Sequence, residues 1–208
     1  MGDLVTDTDL PFQSIRARLE MAITLGMPSS MLSTIVFRRA TPADATLLAT
    51  LARTAFDDTF GAANDPANMT AYLATAFGEA IQRVELTDPR NTVFFAERES
   101  NPVGYAMLRE GEGEAPDGVG DASVIEIARL YSFKPWIGSG VGAALMRHCL
   151  DVAASRGRRT IWLAVWEHNP RAVAFYRRWG FVDVGAKSFQ LGADLQTDRV
   201  MARRVAER

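Results

Sequence analysis

Ile125–Leu145, IEIARLYSFKPWIGSGVGAAL, and Trp162–Phe181, WLAVWEHNPRAVAFYRRWGF, are the two stretches whose reading decides the fold. In the first, Val124–Ser132 reads as a strand that leads into Ile137-Gly138-Ser139-Gly140-Val141-Gly142-Ala143. A helical pattern then runs from Gly140 to Arg156, with Gly157 as its stop. In the second, Thr160–Trp166 is an apolar strand and Asn169–Trp179 a helix. Strand, glycine loop, helix, strand is the grammar of one parallel crossover.

Working outward, Phe181–Leu191 and Arg199–Val205 read as closing strands around a Gly-Ala-Asp turn. Upstream, Thr34–Arg39 is strand-like, and Thr41-Pro42 supplies an N-cap and a first-turn proline for a helix that ends near Phe60. A second helical stretch is expected over Pro66–Leu86, where Met69, Tyr72, Leu73, Ala76, Phe77 and Ile81 recur at helical spacing. Thr92–Glu97 and Val103–Arg109 form a hairpin through Ser100-Asn101-Pro102, and Glu110–Asp121 is a polar, glycine-rich loop. The fold class is therefore α/β with a mixed sheet. Residues 1–30 form an N-terminal extension, either an amphipathic helix over Pro11–Leu25 or a disordered segment, and residues 31–208 form a single domain.

The 208 residues are 48% hydrophobic, enough for one real core. With 23 basic and 25 acidic side chains the formal charge is -2, which argues against nucleic acid as a partner. A lone Cys149 and an acidic N-terminus without an apolar run point to a cytoplasmic protein, neither exported nor membrane-bound. No metal-type cluster surrounds the cysteine, so no metal is implied; the surface admits a homodimer. Residues 35–120 carry 7 basic and 13 acidic side chains, residues 121–208 carry 14 and 8. Beside ordinary solvated surface, that asymmetry fits an anionic cofactor on the second half and a cationic substrate drawn to the first.

A glycine loop between strand and helix offers free backbone N–H groups and a helix dipole to phosphate. Gly138, Gly140 and Ala143 also satisfy the dinucleotide pattern G-x-G-x-x-G/A, with Glu167 downstream as the acid, and a tight turn without ligand satisfies the same glycines. The position of the loop, after a hairpin and before a single crossover, disfavours the dinucleotide fold.

The two quoted blocks resemble the GNAT (GCN5-related) N-acetyltransferase family. In that family a strand reading E-L-x-R-L-Y-V leads into Q/R-x-x-G-x-G/A, and a later helix reads N-x-x-A-x-x-F-Y-x-x-x-G-F. The wording, with Phe56, Thr59 and Phe60 upstream, is most similar to the branch containing bacterial PaiA-like polyamine acetyltransferases. The resemblance implies a mostly antiparallel central sheet with a splayed parallel strand pair and flanking helices. It also implies acetyl-CoA as co-substrate and transfer of its acetyl group to a primary amine, a polyamine or another small-molecule or peptide amine. The amides of Gly138, Ser139, Gly140, Val141 and Gly142, beside Ile137, would hold the pyrophosphate. Leu130, Tyr131 and Ser132 would flank the pantetheine arm, and the amide of Tyr131 or Leu130 would polarise the thioester carbonyl. Ile137 stands where Gln or Arg is usual, Ser132 where Val is usual, and Ala128 where a second acid is frequent.

Tyr176 matches the family tyrosine and is the expected general acid toward the CoA sulfur. Asn169 caps the last helix and would also reach the pantetheine arm. Glu126, an acid on an apolar strand, is the candidate base, with ammonium anchor or ion pair as its other roles. His148 and His168 read as ordinary helix-surface and loop residues, Cys149 as buried, and Trp136 as a cover near the cofactor mouth. An acyl-CoA sensor without catalysis remains the second functional class.

Overall fold

The computed structural model describes residues 34–111, 116–119 and 123–205. The helix expected over residues 11–25 and most of the acidic loop after Glu110 lie outside them. Seven strands, β1 (Val36–Arg39), β2 (Asn91–Arg98), β3 (Asn101–Arg109), β4 (Val124–Ser132), β5 (Thr160–Trp166), β6 (Val182–Leu191) and β7 (Asp194–Arg204), form one sheet. Their order is β1-β2-β3-β4-β5-β7-β6. Every neighbouring pair is antiparallel except β4–β5. The connection that makes that pair parallel is the helix α4 (Val141–Ser155) read from the glycine loop.

Both faces of the sheet are covered, which is why its central strands read as continuous apolar runs rather than alternating ones. On β3, Ala106 and Leu108 join Ile125, Ile127, Leu145 and Met146 in a core under α4 and α5 (Pro170–Arg178). Their neighbours Tyr105 and Met107 point the other way, into a core with Leu48, Phe56 and Leu73 of α1 (Ala45–Phe60) and α2 (Pro66–Ala76). The third helix of that layer, α3 (Glu79–Thr87), packs on α1 and β2. Gly104 of β3 allows the closest approach: a Cβ there would lie 2.5 Å from the Tyr131 carbonyl oxygen and 3.0 Å from Val141. Among the described residues no helix is long and apolar enough to cross a membrane.

Three elements differ from expectation. The hairpin turns at Glu99-Ser100, with φ 49° and 63°, so Asn101 and Pro102 already belong to β3. Two successive positive φ values match the strand twist as a primed turn does. The long helix over 66–86 is two helices, because Phe77 leaves helical geometry to enter the core and Gly78 is extended at φ -167°, ψ 155°. The last strand begins at Asp194 rather than Arg199, and its first residues prove to line the site.

Candidate active site

The parallel pair holds over three residues only, Val124–Glu126 against Thr160–Trp162. Beyond them β4 continues to pair with β3, and β5 with β7, so the sheet splits between β4 and β5. A bulge promotes the split: Met107 faces Arg129 while Leu108 faces Ile127, leaving Ala128 without a partner across β3. A cavity of about 830 Å³ occupies the opening, reaching from Gly138 and Gly140 past Leu130 and Tyr176 to Phe189 and Asp198.

At one end stands the glycine loop. Gly138 and Gly140 have φ 86° and 90°, and no atom lies within 4 Å of where a Cβ would project at either. The first bond of α4 within this turn runs from the Ala144 N–H to the Gly140 carbonyl. The amides of Val141, Gly142 and Ala143 therefore precede the ladder and remain for an anion at the positive end of the helix dipole. Val141 contributes only backbone, since its side chain is fully buried. Ser139 serves the loop itself: its N–H and Oγ both donate to the Trp136 carbonyl, at 3.2 and 2.7 Å. The Ser132 hydroxyl donates to the same oxygen at 3.0 Å. Three donors on one carbonyl thus fix the loop, and the Ser139 amide is spent there. Ile137 lines the cavity as an exposed apolar side chain. Trp136 lies under the Arg98 guanidinium, 4.9 Å from its ring, packed on both cores.

Backbone alternation decides which β4 amides look into the split. The Phe133 N–H donates to the Val103 carbonyl, and Tyr131 and Ser132 stand opposite Tyr105 and Gly104. In an antiparallel pair successive residues turn their N–H groups to opposite sides. Tyr131 and Phe133 therefore bond β3, whereas the amides of Leu130 and Ser132 face the opening. Of the two amides expected to polarise the carbonyl, that of Leu130 faces the opening and that of Tyr131 faces β3. The Tyr131 ring is stacked on Tyr105 at 5.5 Å instead, and burial raises its phenol well above the ordinary tyrosine range.

Tyr176, on α5, lines the opposite wall. Burial, reinforced by the nearby Cys149 sulfur, pushes its phenol far above the usual value, so the group is a proton donor throughout the physiological range. Cys149 is buried and its thiol is pushed up to about 12. Asn169 caps α5, its Oδ1 accepting the Ala172 N–H at 3.1 Å, and borders the cavity. Glu126 is 8% exposed, lines the cavity and lies 3.6 Å from an Arg109 nitrogen. His168 is on the rim, edge-on to Trp166. His148 is remote, with its ring stacked on Phe37 at 4.1 Å and edge-on to Phe94.

At the far end of the cavity, Phe56 and Phe60 of the upstream wording meet residues to which the sequence reading gave no role at the site. Trp166, Phe60, Phe56, Tyr72 and Phe189 form an unbroken series of ring contacts between 4.6 and 5.9 Å. Asp198, on β7 beside Trp166, lines the same region, and burial raises its carboxyl to about 6, opposed by Lys187 and reinforced by Glu167. Arg129 also lines it, held by Glu85 at 2.7 and 2.8 Å. The tip of the β6–β7 hairpin is tied down: the Ala193 N–H donates to Asn68 at 2.8 Å, and Gln196 donates to Asn64 at 2.6 Å.

A sheet split beside a glycine-headed helix defines a protein that takes up an extended phosphorylated group between two strands. The profile of the acetyltransferase (GNAT) family matches residues 49–181. An uncharacterised N-acetyltransferase of Mycobacterium tuberculosis is 34% identical over 160 residues, 77% of this chain and 97% of that protein. One from Lactobacillus delbrueckii is 30% identical over 148 residues, 71% of this chain and 84% of the relative. The PaiA N-acetyltransferase of Thermoplasma acidophilum, solved in complex with coenzyme A, superposes with a TM-score of 0.64 at 16% identity, over 82% of this chain and 99% of its own. The chain belongs to the GNAT family of acetyltransferases.

Proposed function

We propose that the protein is a cytoplasmic, acetyl-CoA-dependent N-acetyltransferase whose acceptor is a primary amine of the small cationic kind, polyamines included, and that residues 31–208 are its single catalytic domain. The observation that carries this reading is the opening between β4 and β5 at the glycine loop, walled by the partly buried phenol of Tyr176. Acetyl-CoA supplies an activated acetyl group as a thioester. The free amides of Gly138, Gly140, Val141, Gly142 and Ala143 suit its pyrophosphate, and Asn169, Ser132 and Ile137 border the path of its arm. The Leu130 N–H stabilises charge that develops on the acetyl carbonyl oxygen.

The amine nitrogen bonds to the carbonyl carbon as the C–S bond breaks. Glu126 takes the amine's proton through water, and Tyr176 gives its own proton to the departing sulfur. Burial keeps the Tyr176 hydroxyl protonated, so that it can donate its hydrogen bond and then its proton to the sulfur as charge develops there. The test is release of free CoA from acetyl-CoA with a panel of primary amines and diamines. The expected result is amine-dependent release with a matching acetylated product. Tight acetyl-CoA binding without release by any amine would overturn the reading in favour of a sensor.

A further inference from the structure

Resting on that reading, we propose that Asp198 holds a second, non-reacting ammonium of the acceptor, so that the preferred substrates carry two positive charges separated by an apolar chain. Three carboxylates line the cavity, and two are already paired: Asp58 lies 3.3 Å from Lys134 and Glu126 lies 3.6 Å from Arg109. Asp198 has no hydrogen bond or ion pair among the described residues. Lys187 stands directly opposite it on β6 and offsets part of its charge, but the lysine ammonium lies over the Trp162 ring, 5.6 Å from the centroid, and makes no contact ion pair with the carboxylate. A partly buried carboxylate without a contact ion pair gains from a cation that reaches it.

Its place in the sheet separates it from the reacting centre. Asp198 is on β7, two strands away from β4 and opposite Trp166, where β4 and β5 have already parted, so its separation from β4 exceeds the roughly 10 Å of two ordinary strand spacings. Trp166 of β5 stands between the two strands, and Phe60, Phe56, Tyr72 and Phe189, in a series of ring contacts with it, line the same cavity. Such faces suit methylene groups and attract ammonium ions, whereas they offer an anionic or strongly hydrated acceptor nothing. A single-charged amine that bound Asp198 would keep its nitrogen away from the thioester. A dication satisfies both ends.

The probes are 1,6-diaminohexane and n-hexylamine, which share a chain and differ in the second charge. The wild-type protein should acetylate the diamine with kcat/KM at least about tenfold above the monoamine, chiefly through KM. In Asp198→Asn that ratio should fall to near unity, and Asp198→Glu should restore part of it; calorimetric acetyl-CoA affinity reports that each variant is folded. A wild-type ratio near unity, or a ratio unchanged in Asp198→Asn, would overturn the anchor while leaving the acetyltransferase reading in place. Acetylation of neither probe or any other amine, with acetyl-CoA still bound, would overturn both.

Discussion

A phenol serves as an acid only while it keeps its proton, and Tyr176 keeps it because its surroundings are apolar. Tyr176→Phe preserves the packing against Phe175 and Phe181 and removes the hydroxyl alone. It should lower kcat on the order of 10² while acetyl-CoA affinity in calorimetry stays within twofold, roughly, of wild type. A wild-type rate would make the tyrosine structural. Glu126→Gln should slow the reaction most at low pH and recover as pH rises, because the amine then sheds its proton unaided. A change confined to the amine's KM would make Glu126 an ammonium anchor.

The same physics reaches a histidine that has no part in the chemistry. Burial between Phe37 and Phe94 lowers the pKa of His148, and its Nε2 is buried without a partner. The unfolded chain therefore binds this proton more readily than the folded one. The contribution of neutral His148 is fully present above about pH 6.5 and is lost as pH falls through the lower folded value. His148→Phe should lose less melting temperature than wild type between pH 7 and pH 5, read by calorimetry at both values. Equal losses would assign the acid sensitivity elsewhere.

At the scale of elements, the β6–β7 hairpin lines the far end of the cavity, and its tip sits on α2. Gly192 has φ 58°, and a Cβ there would come within 2.6 Å of the Asn68 Cα. Gly192→Ala should lift the tip, destabilise the fold by about 1–3 kcal/mol in urea titration and raise the amine's KM, with acetyl-CoA affinity preserved. Stability and KM both unchanged would show that the tip is not a clamp. This hairpin is also where the sequence was least legible. The crossover was readable because β4, α4, β5 and α5 each bury a periodic apolar face and the glycines punctuate them. The segment Asp194–Asp198 has one apolar residue, Leu195, and that one is exposed, while Gln196 and Asp198 face a water-accessible cavity rather than core. A strand signal built on buried alternation is blind there. The Glu99-Ser100 turn was hidden for a different reason: two non-glycine residues adopt positive φ beside an Asn-Pro pair that looks more turn-like. The identity of Leu130 as the inward amide could come only from strand register, which composition does not carry.

For the whole molecule, the described strands and both cores begin beyond residue 34. A chain begun at Met31 should therefore be soluble and bind acetyl-CoA as the full chain does, measured by calorimetry on both. Insoluble protein would make residues 1–30 part of the fold. The split sheet has a consequence for how the native state holds its own protons. Leu130 and Ser132 belong to a strand yet lack a neighbouring strand on one side, so their amides should exchange with deuterium far faster than those of Tyr131 and Phe133 in the same element. A ligand lying in the opening completes the ladder from outside the chain. Acetyl-CoA at a hundred times its dissociation constant should stabilise the fold by about 2.7 kcal/mol and slow exchange at the two even-numbered amides, leaving their odd-numbered neighbours as they were.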